Sequence, residues 1–170
     1  FTSKSLSKVD FSTLNQYDLI ITKGLIDIST GLSSELINYT KQGGSLLVFP
    51  SSTIDLDTYK DLLQTMVGAN LLALDTGRTK VSYLNLEHPI YKDVFEKIPD
   101  NVDLPKVNQH YAITFPNSSG TDYLMKIQND NSFLSYSQVA KGTFYFCSTP
   151  LTSEASSFPK HALFVASLLR

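Results

Sequence analysis

The sequence predicts one α/β domain, its sheet parallel in the first half and extended by antiparallel strands in the second. Two short apolar runs, at 17–22 and 45–49, read as fully buried strands of the kind that parallel sheets use. Between them, residues 30–42 place Leu32, Leu36, Ile37 and Thr40 on one side, as a helix does. Beyond Gly77 the pattern changes to short segments separated by tight turn clusters, which favours antiparallel pairing.

Taken in order, "YDLIIT" (17–22) is the first strand. Ser29 or Thr30 can cap the helix that follows, because a side-chain oxygen there accepts from the first free N–H groups. Gly43-Gly44 stops that helix, glycine entering the left-handed region without steric cost. "SLLVF" (45–49) is the second strand. Strand, helix and strand within about 35 residues form a βαβ unit, whose right-handed crossover makes the two strands parallel.

Tyr59, Leu62, Leu63, Met66 and Val67 then recur at i, i+3, i+4, i+7 and i+8, between Asp55 and Asp57 upstream and Gly68 downstream. This is a helix with an apolar core face. "TKVSYLNL" and "NQHYAITF" read as strands, with "HPIYKDVF" as a short turn or helix between them. "DYLMKIQ", "SFLSYSQVA" and "TFYFCS" form a meander across the turns Asn129-Asp130-Asn131 and Lys141-Gly142. Ser157-Phe158-Pro159 opens a last helix with Phe158, Ala162, Val165, Ala166 and Leu169 on one face.

At 170 residues the chain fits one domain able to bury a sizeable core. Its net charge is −2, and its 14 Lys and Arg form no cluster, so nucleic acid is a poor candidate partner. A single cysteine excludes an internal disulfide and a Cys-based zinc site. No apolar run approaches the roughly 20 residues that span a bilayer, so this domain is not expected in the membrane itself. The chain begins Phe1-Thr2-Ser3 and stops at Arg170 within a helical pattern, which reads as a piece of a longer protein.

"YDLIIT" followed by "LINYTKQGGSLLVFP" resembles the opening of class I glutamine amidotransferase-like domains, which have a flavodoxin-like fold. "LEHPIYKDVFEK" (86–97) and "KGTFYFCSTPLTSEASSFPKHALFVASLL" (141–169) resemble the C-terminal domain of bacterial BatA-type proteins, the aerotolerance-regulator family. That resemblance implies a full-length protein anchored in the bacterial cell membrane by two N-terminal transmembrane helices. It further implies that this domain is extracytoplasmic, downstream of a von Willebrand A-like region, and that its partners belong to the same membrane complex. It brings no catalytic residues and no cofactor.

In an active amidotransferase the nucleophilic cysteine stands on a glycine-flanked elbow after the strand that matches "SLLVF". The elbow is strained, and the nucleophile's N–H must face the oxyanion. Here the loop is Pro50-Ser51-Ser52-Thr53, without cysteine or flanking glycine, and proline has no N–H. The His-x-Glu pair that completes such triads is also missing, since His161 is followed by Ala162 and Leu163. The loop is expected to open the next connection and help cap its helix, with Asp55 and Asp57 competing for the cap. Cys147, within "TFYFCST", is expected to be a buried, inert thiol.

"DISTGLSSEL" (27–36) resembles the Ser/Thr-rich phosphate loop of flavodoxins, although capping is a sufficient role for Ser29 and Thr30. His88 precedes Pro89, and its expected role is to shape that turn by a side-chain hydrogen bond. The three histidines are far apart and lack metal-site spacing, so no metal is expected.

The expectation is therefore a non-catalytic, amidotransferase-like interaction or structural module. No binding residue is assigned, and Ser29, Thr30, Ser51, Ser52 and His88 are the candidates. One alternative is a hydrolase or amidase using Ser51 or Ser52 with a histidine brought near by folding. Another is small-ligand binding at the C-terminal ends of the parallel strands.

Overall fold

The computed structural model describes residues 2–91 and 103–168. The first parallel pair forms where the apolar runs predict it. β1 (Leu19–Leu25) lies beside β2 (Ser45–Pro50) in parallel register, Leu19 opposite Ser45 and Lys23 opposite Phe49. α1 (Thr30–Lys41) connects them. It is capped by Ser29, whose hydroxyl accepts from the Leu32 N–H at 3.3 Å, and Gly43 (φ +123°) turns the chain out of it.

α2 (Leu56–Val67) follows, and Gly68 ends it in the left-handed conformation, φ +70°. β3 (Asn70–Asp75) comes next, a strand that the sequence does not announce. Then come β4 (Thr79–Leu84), β5 (Lys106–Val107), β6 (His110–Thr114) and the meander of β7 (Thr121–Ile127), β8 (Ser132–Val139) and β9 (Gly142–Cys147).

The main sheet is mixed, in the order β1-β2-β9-β8-β7-β4-β5, while β3 and β6 form a separate antiparallel pair. β9 lies parallel to β2 on one side and antiparallel to β8 on the other. The parallel region is thus β1, β2 and β9, the last of them the final strand of the chain, and β8, β7, β4 and β5 extend it antiparallel.

Alternation along the central strands divides the core between the two faces of the sheet. Leu46, Val48, Phe144 and Phe146 pack under α1, α2 and the β3–β6 pair. Leu47, Phe49 and Cys147 face Ile90, Tyr91, Phe158 and Leu163 on the other side.

The last helix differs from its expectation. Residues Phe158–Lys160 form one 3-10 turn, His161 is extended (φ −89°, ψ 145°), and α3 (Ala162–Leu168) starts afresh. The His161 Nδ1 accepts from the Leu163 N–H at 3.2 Å and so opens the new helix. That break rotates the helix: Leu163 and Phe164 enter the core, while Ala162 and Val165 are exposed. Within "HPIYKDVF", Pro89–Tyr91 form a 3-10 turn, and Lys92–Phe95 lie outside the described residues, as does Leu169. Among the described residues no helix is long and apolar enough to cross a membrane.

Candidate functional site

The three parallel strands all end on the same side, and the loops that leave them meet there. β1 runs through Ile26–Ser29 into α1, β2 through Ser51–Asp55 into α2, and β9 into Ser148-Thr149-Pro150. In open α/β sheets this end is where ligands bind.

Hydrogen bonds tie the first two loops together. The Asp55 N–H donates to the Ile26 carbonyl at 2.7 Å, and the Ile28 N–H to the Thr58 hydroxyl at 3.1 Å. The Tyr59 hydroxyl donates to the Leu25 carbonyl at 2.7 Å, and burial raises its pKa far above the ordinary tyrosine range. Tyr59 therefore serves as a neutral donor rather than an acid or base.

Pro50 is the buried last residue of β2. Ser51 is half-buried and Ser52 and Thr53 are exposed. The Ser51 hydroxyl accepts from the Thr53 N–H at 3.4 Å, a long bond within the loop. The Ser51 carbonyl accepts from the Tyr111 hydroxyl of β6 at 2.8 Å. Contrary to expectation, the serines do not cap α2. Asp55 does, accepting from the N–H groups of Asp57 and Thr58 at 3.1 and 3.4 Å. Asp55 is the residue directly before the first helical turn, and the serines stand too far upstream to reach its free N–H groups.

Each histidine has a place of its own. His88 accepts the Ile90 N–H on its Nδ1 at 3.3 Å, shaping the His-Pro turn as expected, and packs edge-on against Tyr136 of β8 at 4.8 Å. Burial lowers its pKa, opposed by Asp122. His161 engages the Asp103 carbonyl through Nε2 at 2.5 Å and the Leu163 N–H through Nδ1. His110 precedes Tyr111 in β6, so its side chain leaves the face opposite to the one from which Tyr111 reaches Ser51. It is 1% exposed, and neither ring nitrogen has a hydrogen-bond partner among the described residues. Burial lowers its pKa, opposed by Asp75 across the β3–β6 ladder.

The sequence gives no prominence to this β6 junction. The Tyr111 N–H donates to the Ser148 carbonyl at 2.8 Å, and the Thr149 hydroxyl to the Gln109 carbonyl at 2.8 Å. Asn108 and Gln109 both donate backbone N–H groups to the Ala155 carbonyl, and Ser156 bridges to Val107. The hydroxyls of the fully buried Ser148 and Ser156 have no partner among the described residues either. Ser148-Thr149-Pro150 would draw attention in the sequence only if β9 were already known to run parallel beside β2. Cys147, just before this junction, is fully buried as expected. Burial pushes its thiol up to about 12, with the Thr149 backbone hydrogen bond pulling the other way.

No family model and no curated protein sequence matches the chain. Solved structures do. A protein from Salmonella typhimurium described as cytoplasmic superposes with TM-score 0.68 at 15% identity, covering 94% of this chain and 72% of that one. A putative ThuA-like protein from Bacteroides uniformis gives 0.58 at 14% identity, covering 85% and 64%. The GH42 β-galactosidase Gan42B from G. stearothermophilus gives 0.57 at 16% identity, over 79% of this chain and 19% of that enzyme. These likenesses are of fold: an α/β domain with a mixed sheet.

Proposed function

We propose that the chain is a non-catalytic, amidotransferase-like domain serving as an interaction or structural module of a membrane-anchored protein of the BatA type. One observation carries the reading. The loop after β2, where an amidotransferase places its nucleophile, offers Ser51 and Ser52 with no base in hydrogen-bond contact among the described residues. A serine needs such a base within about 3 Å to become a nucleophile. His88 is held on Tyr136 and His161 on Asp103, while His110 leaves the opposite face from Tyr111. Cys147 is buried and protonated at neutral pH, which removes the other nucleophile.

A fluorophosphonate serine probe is the direct test. No labelling is expected. Labelling that disappears in Ser51→Ala or Ser52→Ala establishes a hydrolase instead. Capture of membrane-complex proteins by the full-length, membrane-anchored protein tests the module role and its extracytoplasmic placement.

A second reading draws on polar atoms of His110, Ser148 and Ser156 that are buried without a hydrogen-bond partner among the described residues, in segments that meet at the β6 junction. Buried polar groups are nearly always hydrogen-bonded, so a small polar molecule is a natural occupant of that junction. A thermal-shift screen of polar metabolites tests it. A stabilising hit that is lost in Ser148→Ala supports this reading, and a screen without hits counts against it.

A further inference from the structure

The two outer edges of the main sheet are treated differently. At β5 the chain covers its own edge: Ser156 bridges to Val107, the Lys106 N–H donates to the Ser157 hydroxyl at 2.9 Å, and the Ser157 N–H returns to the Lys106 carbonyl at 2.9 Å. At β1 nothing among the described residues pairs with the outer edge. β1 is a parallel strand of seven residues with Ile20, Ile21 and Thr22 only half-buried. Tyr17 is 37% and Leu19 36% exposed at its start. Bare strand edges are templates for further pairing, and parallel strands are ordinarily covered.

The hydrogen-bond phase of that edge is fixed. The Ser45 N–H donates to the Asp18 carbonyl, so Asp18, Ile20 and Thr22 direct their backbone groups towards β2. Leu19, Ile21 and Lys23 therefore present theirs outward. Gly24 (φ +68°) and the register shift between Lys23 and Leu25 end the straight run at one side, and at the other the Tyr17 N–H and carbonyl are bonded to the Leu14 carbonyl and the Tyr39 hydroxyl, which confines backbone pairing to residues 18–23.

We propose that this edge pairs with a second copy of itself, antiparallel about a two-fold axis at Ile20, joining two sheets into one. In that register each position meets a compatible one. Leu19 faces Ile21 of the second copy and exchanges both backbone hydrogen bonds with it. Ile20 faces Ile20, Asp18 faces Thr22, and Tyr17 faces Lys23, whose ammonium can lie over the ring. No like charges oppose each other. The contact is isologous, so it closes after two copies, and the half-exposed isoleucines and Tyr17 are buried. This deepens the module reading by naming one partner, yet does not depend on it. A serine probe that labelled Ser51 would sink that reading and leave this interface standing.

Sedimentation and cysteine cross-linking of the 170-residue chain test the proposal. The expected result is a reversible dimer at tens of micromolar. Ile20 meets its own copy as a pair without mutual hydrogen bonds, with Cα atoms about 4.5 Å apart, inside disulfide range. Ile20→Cys should therefore cross-link under mild oxidation. Ile21→Cys should not, because its copies are diagonal, about 7–8 Å apart. Cys147, being buried, does not compete. In the unmodified chain the amides of Leu19 and Ile21 should exchange slowly when concentrated and quickly on dilution, a readout that needs no variant. A monomer at every concentration with fast exchange at those two amides overturns the proposal, as does cross-linking of Ile21→Cys in preference to Ile20→Cys.

Discussion

His110 is enclosed with neither ring nitrogen bonded among the described residues, so a proton added there would create a buried charge without a hydrogen-bond acceptor among them. Burial depresses its pKa below the ordinary histidine value of 6.5, and His88 is shifted the same way by the same cause. The unfolded chain takes up these protons near that value, and the folded chain only at lower pH. Stability is therefore at its full value above about 6.5 and falls as pH drops below it. The urea midpoint should be lower at about pH 5.5 than at about pH 7.5, and His110→Leu should reduce the drop. A variant with an unchanged pH profile would show that His110 does not carry it. Cys147 gives a second test at this scale. A thiol held up at about 12 and fully buried should react with a thiol reagent only on the timescale of opening. Labelling at the rate of a free cysteine would contradict the packing of β9.

At the scale of elements, α2 shows how a cap can be misread by a few residues. Asp55 accepts the first free N–H groups of the helix, and the exposed serines upstream do not. Asp55→Ala should therefore cost about 1 kcal/mol, whereas Ser51→Ala and Ser52→Ala should each stay within about 0.5 kcal/mol. Denaturant melts of the three variants decide this, and equal losses would return the cap to the loop. The ends of α1 and α2 were legible because Ser29, Gly43 and Gly68 act through local chemistry alone. β3 was not, since Leu71 is its only fully buried residue and no alternation marks the strand. The break before α3 was hidden as well: Pro159 and the apolar run suit a continuous helix, and only the extended His161 with its Nδ1 cap divides it. The candidate site was half legible. The serine loop could be read from the end of β2, but the β6 junction depends on strand neighbours that no local pattern declares.

Across the whole molecule, the strand made last sits near the middle of the sheet. β9 lies between β2 and β8, and the Thr143 hydroxyl donates to the Ser45 hydroxyl across 98 positions of sequence. During synthesis β1, α1 and β2 emerge early but lack a neighbour on the β2 side until β9 has been made, about 95 residues later. Closing so long a loop is entropically unfavourable before its contacts form, and such topologies fold slowly. Nascent chains ending before residue 142 should therefore remain protease-sensitive on the ribosome, with Leu46, Leu47 and Val48 open to chaperones. Protection should arrive in one step once the last hairpin has left the exit tunnel. The placement of β9 thus defers the folding of the domain until Cys147 has emerged, although its first βαβ unit is finished within 50 residues.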